Sequence, residues 1–67
     1  MFRSKLKELR TARGVSGYRL ARDAGITEMT VHNIEAKPLN HINAQSTKKL
    51  MKYFGLERIE DLYELID

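Results

Sequence analysis

The chain has 67 residues, a formal charge of +3 and no cysteine. A chain of this length forms one domain, residues 1–67, and buries only about 60% of the surface that its unfolded form exposes, so little room remains for a substrate pocket. The absence of cysteine excludes disulfide bonds, thiolate metal sites and cysteine nucleophiles. The start, MFRSKLKELR, is too charged for a signal peptide, and no later stretch is apolar enough for a membrane span, so we expect a soluble intracellular protein.

The charge is unevenly distributed along the chain. Residues 1–22 carry seven basic side chains and one acidic one, a net charge of +6, and residues 23–55 carry four basic and three acidic ones. Residues 56–67 carry one basic and five acidic side chains, a net charge of −4. Such a chain can turn its basic end toward a polyanion and its acidic end away. The alternative is a solvated surface with a chance asymmetry.

The first half of the chain predicts two short helices. Apolar residues spaced by three and four predict a helix from about Arg3 to Arg13, and Gly14 stands where a left-handed residue ends a helix. Ser16 is a good N-cap for a second helix over about Gly17–Ala24.

Three further helices are predicted after Gly25, which stops the second one. Thr27 caps a third helix over Glu28–Ala36, and a fourth follows the polar loop 37–43, over about Ala44–Phe54. A short fifth helix at the acidic end is marked by Ile59, Leu62, Tyr63 and Ile66. No segment alternates with a period of two, so we expect no strand and an all-α domain of five helices.

The stretch GYRLARDAGITEMTVHNIE, from Gly17 to Glu35, has a distinctive spacing. Ala21 is small where a second helix must cross closely, and Gly25 allows the positive φ of a tight turn. The apolar residues that fill the angle between the two helices are Leu20, Ile26, Val31 and Ile34. The chain resembles the Cro and phage-repressor (XRE-type) family over about residues 6–65. The segments that extend the resemblance are LKELRTARGVS before this stretch, IEAK at its end, and LMKYFGL and IEDLYEL after it.

The resemblance implies a compact five-helix domain in which helices 2 and 3, residues 17–36, form a helix-turn-helix unit. It also implies a sequence-specific transcriptional regulator of the repressor type, whose third helix enters the major groove of an operator. The expected partners are therefore double-stranded DNA and, on that DNA, a second copy of the chain. We expect a cytoplasmic, nucleoid-associated protein encoded by a bacterium or a phage.

The outer face of the third helix carries the candidates for reading bases. Asn33 can form two hydrogen bonds with adenine, Glu28 can accept one from the cytosine amino group, and Met29 can contact a thymine methyl group. His32 can donate to a guanine or to a phosphate. The alternative for each of the four is solvent exposure without a role.

Phosphate contacts are expected from the segments beside the third helix: Gly17, Tyr18, Arg19, Thr27, Lys37, Asn40, His41 and Asn43. Helix 2 presents backbone N–H groups at its start, where anions bind well. The family commonly has glutamine at the position of Gly17, so one expected contact is in doubt unless Tyr18 or Arg19 replaces it. The 37–43 loop is about one residue longer than in the family, so its contacts do not carry over one for one. Arg3, Lys5 and Lys7 are either a flexible basic end or a solvated helix face.

Two structural roles remain, and the resemblance bears on the first of them. It implies an ion pair between Arg10, late in helix 1, and Glu35, at the end of helix 3, although the two can also be independent surface charges. A dimer interface is expected in the tail, residues 56–67, which offers more apolar area than one small core requires. Its candidate residues are Leu62, Tyr63, Leu65 and Ile66.

Other chemistry finds little support. His32 and His41 lie on different elements with no cysteine nearby, so we expect no metal site and no cofactor. No serine stands in a nucleophile motif, and the acidic residues of the tail fit the wet side of an amphipathic helix, so we expect no enzyme. The competing function is a protein-interaction module, such as an antitoxin or an accessory factor. Gly17 in place of glutamine and Glu28 on the reading helix favour it.

Overall fold

Four α-helices and one small antiparallel sheet form the part of the chain that the computed structural model describes, residues 1–66. In chain order the elements are β1 (Phe2–Ser4), α1 (Leu6–Arg13), α2 (Gly17–Ala24), α3 (Glu28–Ala36), α4 (Ala44–Phe54), a 3-10 turn (Ile59–Asp61) and β2 (Tyr63–Leu65). The prediction of a mainly helical domain is confirmed. The prediction of five helices is wrong, because the acidic tail forms the 3-10 turn and a strand.

Side chains at the start of three helices explain where those helices begin. Ser16 accepts a hydrogen bond from the N–H of Arg19 at 3.1 Å, and Thr27 accepts one from the N–H of Thr30 at 3.1 Å. Asn43 does the same for Ser46 at 2.9 Å. Each bond satisfies one N–H group that has no partner inside its helix.

Gly25 makes the sharp turn between α2 and α3. Its φ is 77°, in the left-handed region that side chains with a Cβ rarely adopt, and it ends α2. The chain then needs only two more residues before α3 begins. Ala21, where α3 crosses α2, is buried.

The expectation of no strand is also wrong. In the antiparallel pair, Phe2 lies opposite Leu65 and Ser4 opposite Tyr63. Phe2 also exchanges two backbone hydrogen bonds of 2.7 Å with Leu39, so β1 lies between the loop after α3 and β2. Because Phe2–Ser4 is held in this sheet, α1 begins at Leu6 rather than Arg3.

The core contains residues from every helix and from the tail. Its four fully buried side chains are Leu6, Leu20, Leu50 and Leu62. Tyr63 is also buried, and its hydroxyl oxygen accepts a hydrogen bond of 3.2 Å from the hydroxyl group of Thr47. The tail therefore closes one side of the chain's own core.

Candidate nucleic-acid interface

The outer face of α3 is open to solvent because its inner face is anchored. Val31 and Ile34 are buried against the core. The four predicted base-reading side chains are all exposed on the other side: Glu28, Met29, His32 and Asn33. Met29 is 67% exposed. The face combines an acceptor, an apolar surface and two groups that can donate.

The start of α2 lies beside this face. Tyr18 is 62% exposed and lines a shallow concavity of about 230 Å³ together with Glu28 and His32. Gly17 is partly buried, and a Cβ added to it would meet the Val31 Cγ1 atom at 3.7 Å, an ordinary contact distance. The structure thus brings two of the predicted phosphate-contacting residues next to two of the predicted base readers.

Arg19 is not a free cation. Its Nε atom lies 3.5 Å from a carboxylate oxygen of Asp23, one helical turn later, and Arg22 lies 3.6 Å from the other oxygen. All three side chains are well exposed, so this is a weak surface arrangement that a phosphate can replace.

The predicted contact between Arg10 and Glu35 is present as a bidentate ion pair. The Nε and Nη2 atoms of Arg10 donate to the two carboxylate oxygens of Glu35 at 2.7 and 2.9 Å. The hydrogen bond to Glu35 raises the pKa of Arg10, although burial acts in the opposite direction. The pair links α1 to the end of α3.

The 37–43 loop passes along the other side of α3 and is anchored at two points. Leu39 pairs with Phe2, and Asn43 caps α4 with its side-chain oxygen, which leaves only its NH₂ group to donate. Lys37, Asn40 and His41 are exposed. Thr27 is also a cap, and its hydroxyl lies 2.8 Å from that of Thr30.

Arg3 and Lys5 form neither a free arm nor part of a helix face. Arg3 forms an ion pair of 3.2 Å with Glu64 across the sheet, and Lys5 donates to the backbone oxygen of Glu60 at 3.2 Å. Lys7 is exposed on α1. The tail thus occupies two of the three cations that were candidates for reaching DNA.

The four residues predicted to form a dimer interface lie in different environments. Leu62 and Tyr63 are buried within the chain itself, so their side chains present no surface to a second copy. Leu65 is 72% exposed and Ile66 is partly buried. The tail therefore offers much less apolar surface to a second copy than the sequence suggests.

Sequence reasoning missed one feature of this region. A cleft of about 300 Å³ separates α3 from the start of α4, and Asn33, His41 and Asn43 line it together with Tyr63. Tyr63 follows Asn33 by thirty positions and belongs to a strand whose partner lies at the other end of the chain. No local pattern in the sequence signals such a contact.

Other kinds of site find no support in residues 1–66. Nowhere in that range do three potential metal-binding side chains cluster. No helix within it has the length and apolar character needed to cross a bilayer.

Comparison with known proteins agrees with the fold. The family model of the Cro/C1-type helix-turn-helix DNA-binding domain matches residues 5–67. No curated protein and no solved structure matches the chain.

Proposed function

Since the chain belongs to the Cro/C1-type helix-turn-helix DNA-binding family, we propose that it is a repressor that recognises a specific operator by placing α3 in the major groove. The family itself establishes double-stranded DNA as the partner and transcription regulation as the broad role. The choice of residues, the repression and the dimeric state are proposals.

The exposed face of α3 is the observation that carries this proposal. Val31 and Ile34 hold the helix on the domain, while Met29 and Asn33 stand in solvent without a covering partner. This face carries an amide, a carboxylate, an imidazole and a thioether. It has the groups needed to distinguish base edges in a major groove.

Each base reader has a proposed role. Asn33 forms two hydrogen bonds with an adenine, and Met29 packs on a thymine methyl group. Glu28 accepts from a cytosine amino group, and His32 donates to a guanine or to a nearby phosphate. Glu28 suits the positive end of α3 but is repelled by phosphates, so it discriminates between bases more than it adds affinity.

Phosphates are proposed to bind on both sides of α3. On one side lie the backbone N–H groups at Gly17 and Tyr18, with Arg19 and Thr27 close by. On the other side lies the loop, with its four candidates Lys37, Asn40, His41 and Asn43. This arrangement grips the two strands that border a major groove while α3 lies between them.

The dimer proposal now rests on the outer strand of the sheet. Because β1 is bordered by Leu39 on one side, β2 is the edge strand on the other. Leu65 exposes most of its side chain there, with Ile66 beside it. Changing Leu65 to Asp should weaken association, which sedimentation velocity with and without operator DNA measures. Unchanged association of the variant would place the interface elsewhere.

A selection of bound sites from random DNA tests the main proposal. We expect a two-fold symmetric site with half-sites about one DNA turn, roughly 34 Å, apart. Asn33→Ala and Met29→Ala should each relax the preference at one position and weaken binding to the selected site by about 1–3 kcal/mol. Lys7→Ala, an exposed cation on α1, is the control and should leave the selected sequence unchanged. Failure to enrich any sequence would contradict the proposal.

The alternative function is a protein-interaction module. Met29 favours it to some extent, because a large exposed apolar side chain also suits a protein surface. Salt dependence separates the two functions. Binding to DNA through several phosphates falls steeply with salt, with a log–log slope of about −0.9 per contact. If the molecule that this chain binds most tightly is bound equally well at low and high salt, the protein-interaction function is supported.

A further inference from the structure

We infer that the acidic 3-10 turn of one copy of this chain docks into a basic groove between α2 and α4 of another copy. Both surfaces are distinct from the face of α3 and from the edge strand β2, so the contact adds to the proposed dimer. It forms without DNA and therefore does not depend on the proposed function. When copies occupy neighbouring operators, the contact makes their binding cooperative.

The groove is the first observation. It has a volume of about 420 Å³ and is lined by Asp23 and Ala24 of α2 and by Lys49, Lys52 and Tyr53 of α4. Ala24 and Tyr53 are partly buried and pack against the core, so they supply an apolar inner surface. Among residues 1–66, no residue of α3 lines the groove. It is therefore separate from the proposed reading face.

The aromatic wall of the groove is held in place. The guanidinium carbon of Arg13 lies 5.2 Å from the centre of the Tyr53 ring, and its Nη1 atom donates a hydrogen bond of 3.1 Å to the backbone oxygen of Tyr53. The ring of Phe54 stands perpendicular to that of Tyr53, with their centres 4.9 Å apart. A ring fixed in this way loses little freedom when a partner packs on it, so the contact costs less in conformational entropy.

The groove carries an excess of positive charge. Lys49 and Lys52 are exposed, and neither forms an ion pair within residues 1–66. Asp23 is the one carboxylate that lines the groove in that range. Its two oxygens already lie 3.5 Å from Arg19 and 3.6 Å from Arg22. A docked partner therefore meets two lysines whose charge no neighbouring carboxylate neutralises.

The 3-10 turn has the complementary chemistry. Ile59 is 43% exposed, and it lies in sequence among the exposed carboxylates Glu57, Glu60 and Asp61. None of these three carboxylates forms an ion pair within residues 1–66, and Arg58 is the one cation in this segment. An apolar side chain among carboxylates matches an apolar groove with cations beside it.

The partner of the turn has to be a second copy. Within one chain the turn is held against the N-terminal segment, because Lys5 donates to the backbone oxygens of Glu60 and Leu62 at 3.2 and 2.7 Å. A nucleic acid would match the lysines of the groove but would leave Ile59 and its carboxylates without a partner. Because the two surfaces differ, each copy contacts one neighbour through its groove and another through its turn.

Nuclear magnetic resonance of the whole chain, without DNA and at low salt, is the first measurement. As the protein concentration rises, the amide signals of Ile59 and Asp61 in the turn and of Lys49 and Lys52 in the groove should shift along one common binding curve. Added salt should weaken this association, because it joins exposed opposite charges. Leu65→Asp, which changes the edge strand, should leave the curve unchanged.

Charge reversal tests whether the two surfaces meet each other. Lys52→Glu and Asp61→Lys should each weaken self-association about tenfold, because each places like charges in contact. An equimolar mixture of the two variants should associate about as tightly as the original protein, since every contact between unlike copies joins opposite charges. A loss of folding in either variant cannot produce this rescue. Lys7→Glu makes the same charge change on α1 and should leave the association unchanged.

Three outcomes would overturn the inference. The first is a mixture that associates no more tightly than either variant alone. The second is a set of groove signals that do not depend on protein concentration. The third is a groove that responds only to added duplex, which would make it a DNA contact. Since the first two measurements contain no DNA, a failure to select an operator leaves them unaffected, and the two proposals fail separately.

Discussion

The Arg10–Glu35 ion pair should contribute strongly to stability, and a double-mutant cycle can measure how much. Both side chains are mostly buried, with 21% of Arg10 and 11% of Glu35 exposed. The pair has two hydrogen bonds of 2.7 and 2.9 Å. Exposed pairs contribute about 0–1 kcal/mol, while removal of one partner from a buried pair costs about 3–5 kcal/mol. We therefore expect about 2–3 kcal/mol for each single change.

The cost is high because the remaining charge is left without its partner. In Arg10→Met the carboxylate of Glu35 stays mostly buried, and in Glu35→Met the guanidinium of Arg10 does. When both become Met, no charge is stranded, so the double variant should be more stable than either single one. The coupling free energy between the two positions should be at least about 2 kcal/mol.

Urea unfolding followed by circular dichroism is the assay. A domain of this size has a net stability of about 3–5 kcal/mol, and its m value is about 1 kcal/mol/M. Each single change should therefore lower the urea midpoint by about 2–3 M. The slope should stay constant, because the change does not alter how much surface unfolding exposes.

The pair between Arg3 and Glu64 is the matched control. Its N–O distance is 3.2 Å, but 61% of Arg3 and 41% of Glu64 are exposed. The same Met cycle should give a coupling below about 0.5 kcal/mol. A coupling at Arg10–Glu35 no larger than this control would refute the argument from burial.

Three more predictions follow from local geometry. Gly25→Ala should lower the free energy of unfolding by about 1 kcal/mol, because the φ of Gly25 is 77°. Gly17→Ala should not lower it, since the added Cβ has room at 3.7 Å from Val31. Urea unfolding of the two variants measures the difference. Gly17→Gln should tighten binding to the selected duplex and to a scrambled one by the same factor, because a side chain that binds a phosphate does not distinguish base sequences. A fluorescence anisotropy titration with each duplex measures the two affinities. Burial raises the pKa of Tyr63 above its ordinary value of about 10, so the hydroxyl ionises more readily in the unfolded chain than in the folded one. The free energy of unfolding therefore falls as the pH rises above about 10. The urea midpoint should therefore fall less steeply in Tyr63→Phe than in Tyr53→Phe between about pH 9 and pH 11, and parallel curves would exclude this role of Tyr63.

The helices could be predicted because their signals are local. Ser16, Thr27 and Asn43 each bond to an N–H group three residues later, and Gly25 ends α2 with its own backbone angle. Information of this kind lies within one turn of the chain. The bounds of α2, α3 and α4 accordingly coincide with the predicted ones.

The sheet could not be predicted because its signals are not local. Each strand has three residues, too few to show alternation, and Arg3 and Glu64 face each other across 61 positions. The apolar residues of the tail at spacings of three and four imitate a helix. Leu62 and Tyr63 are in fact positioned by pairing with the N-terminal segment, through Lys5 and Ser4.

This error also explains why the cleft between α3 and α4 was not predicted. The side of α3 that faces the start of α2 depends on neighbours close in sequence, so Tyr18, Glu28 and His32 could be grouped by resemblance. The side of α3 that faces the loop depends on how the two terminal segments pair in the sheet. Phe2 is hydrogen-bonded to Leu39 of the loop, and Ser4 pairs with Tyr63. A change that breaks the sheet should therefore disturb the loop and the cleft before it disturbs the helix-turn-helix unit.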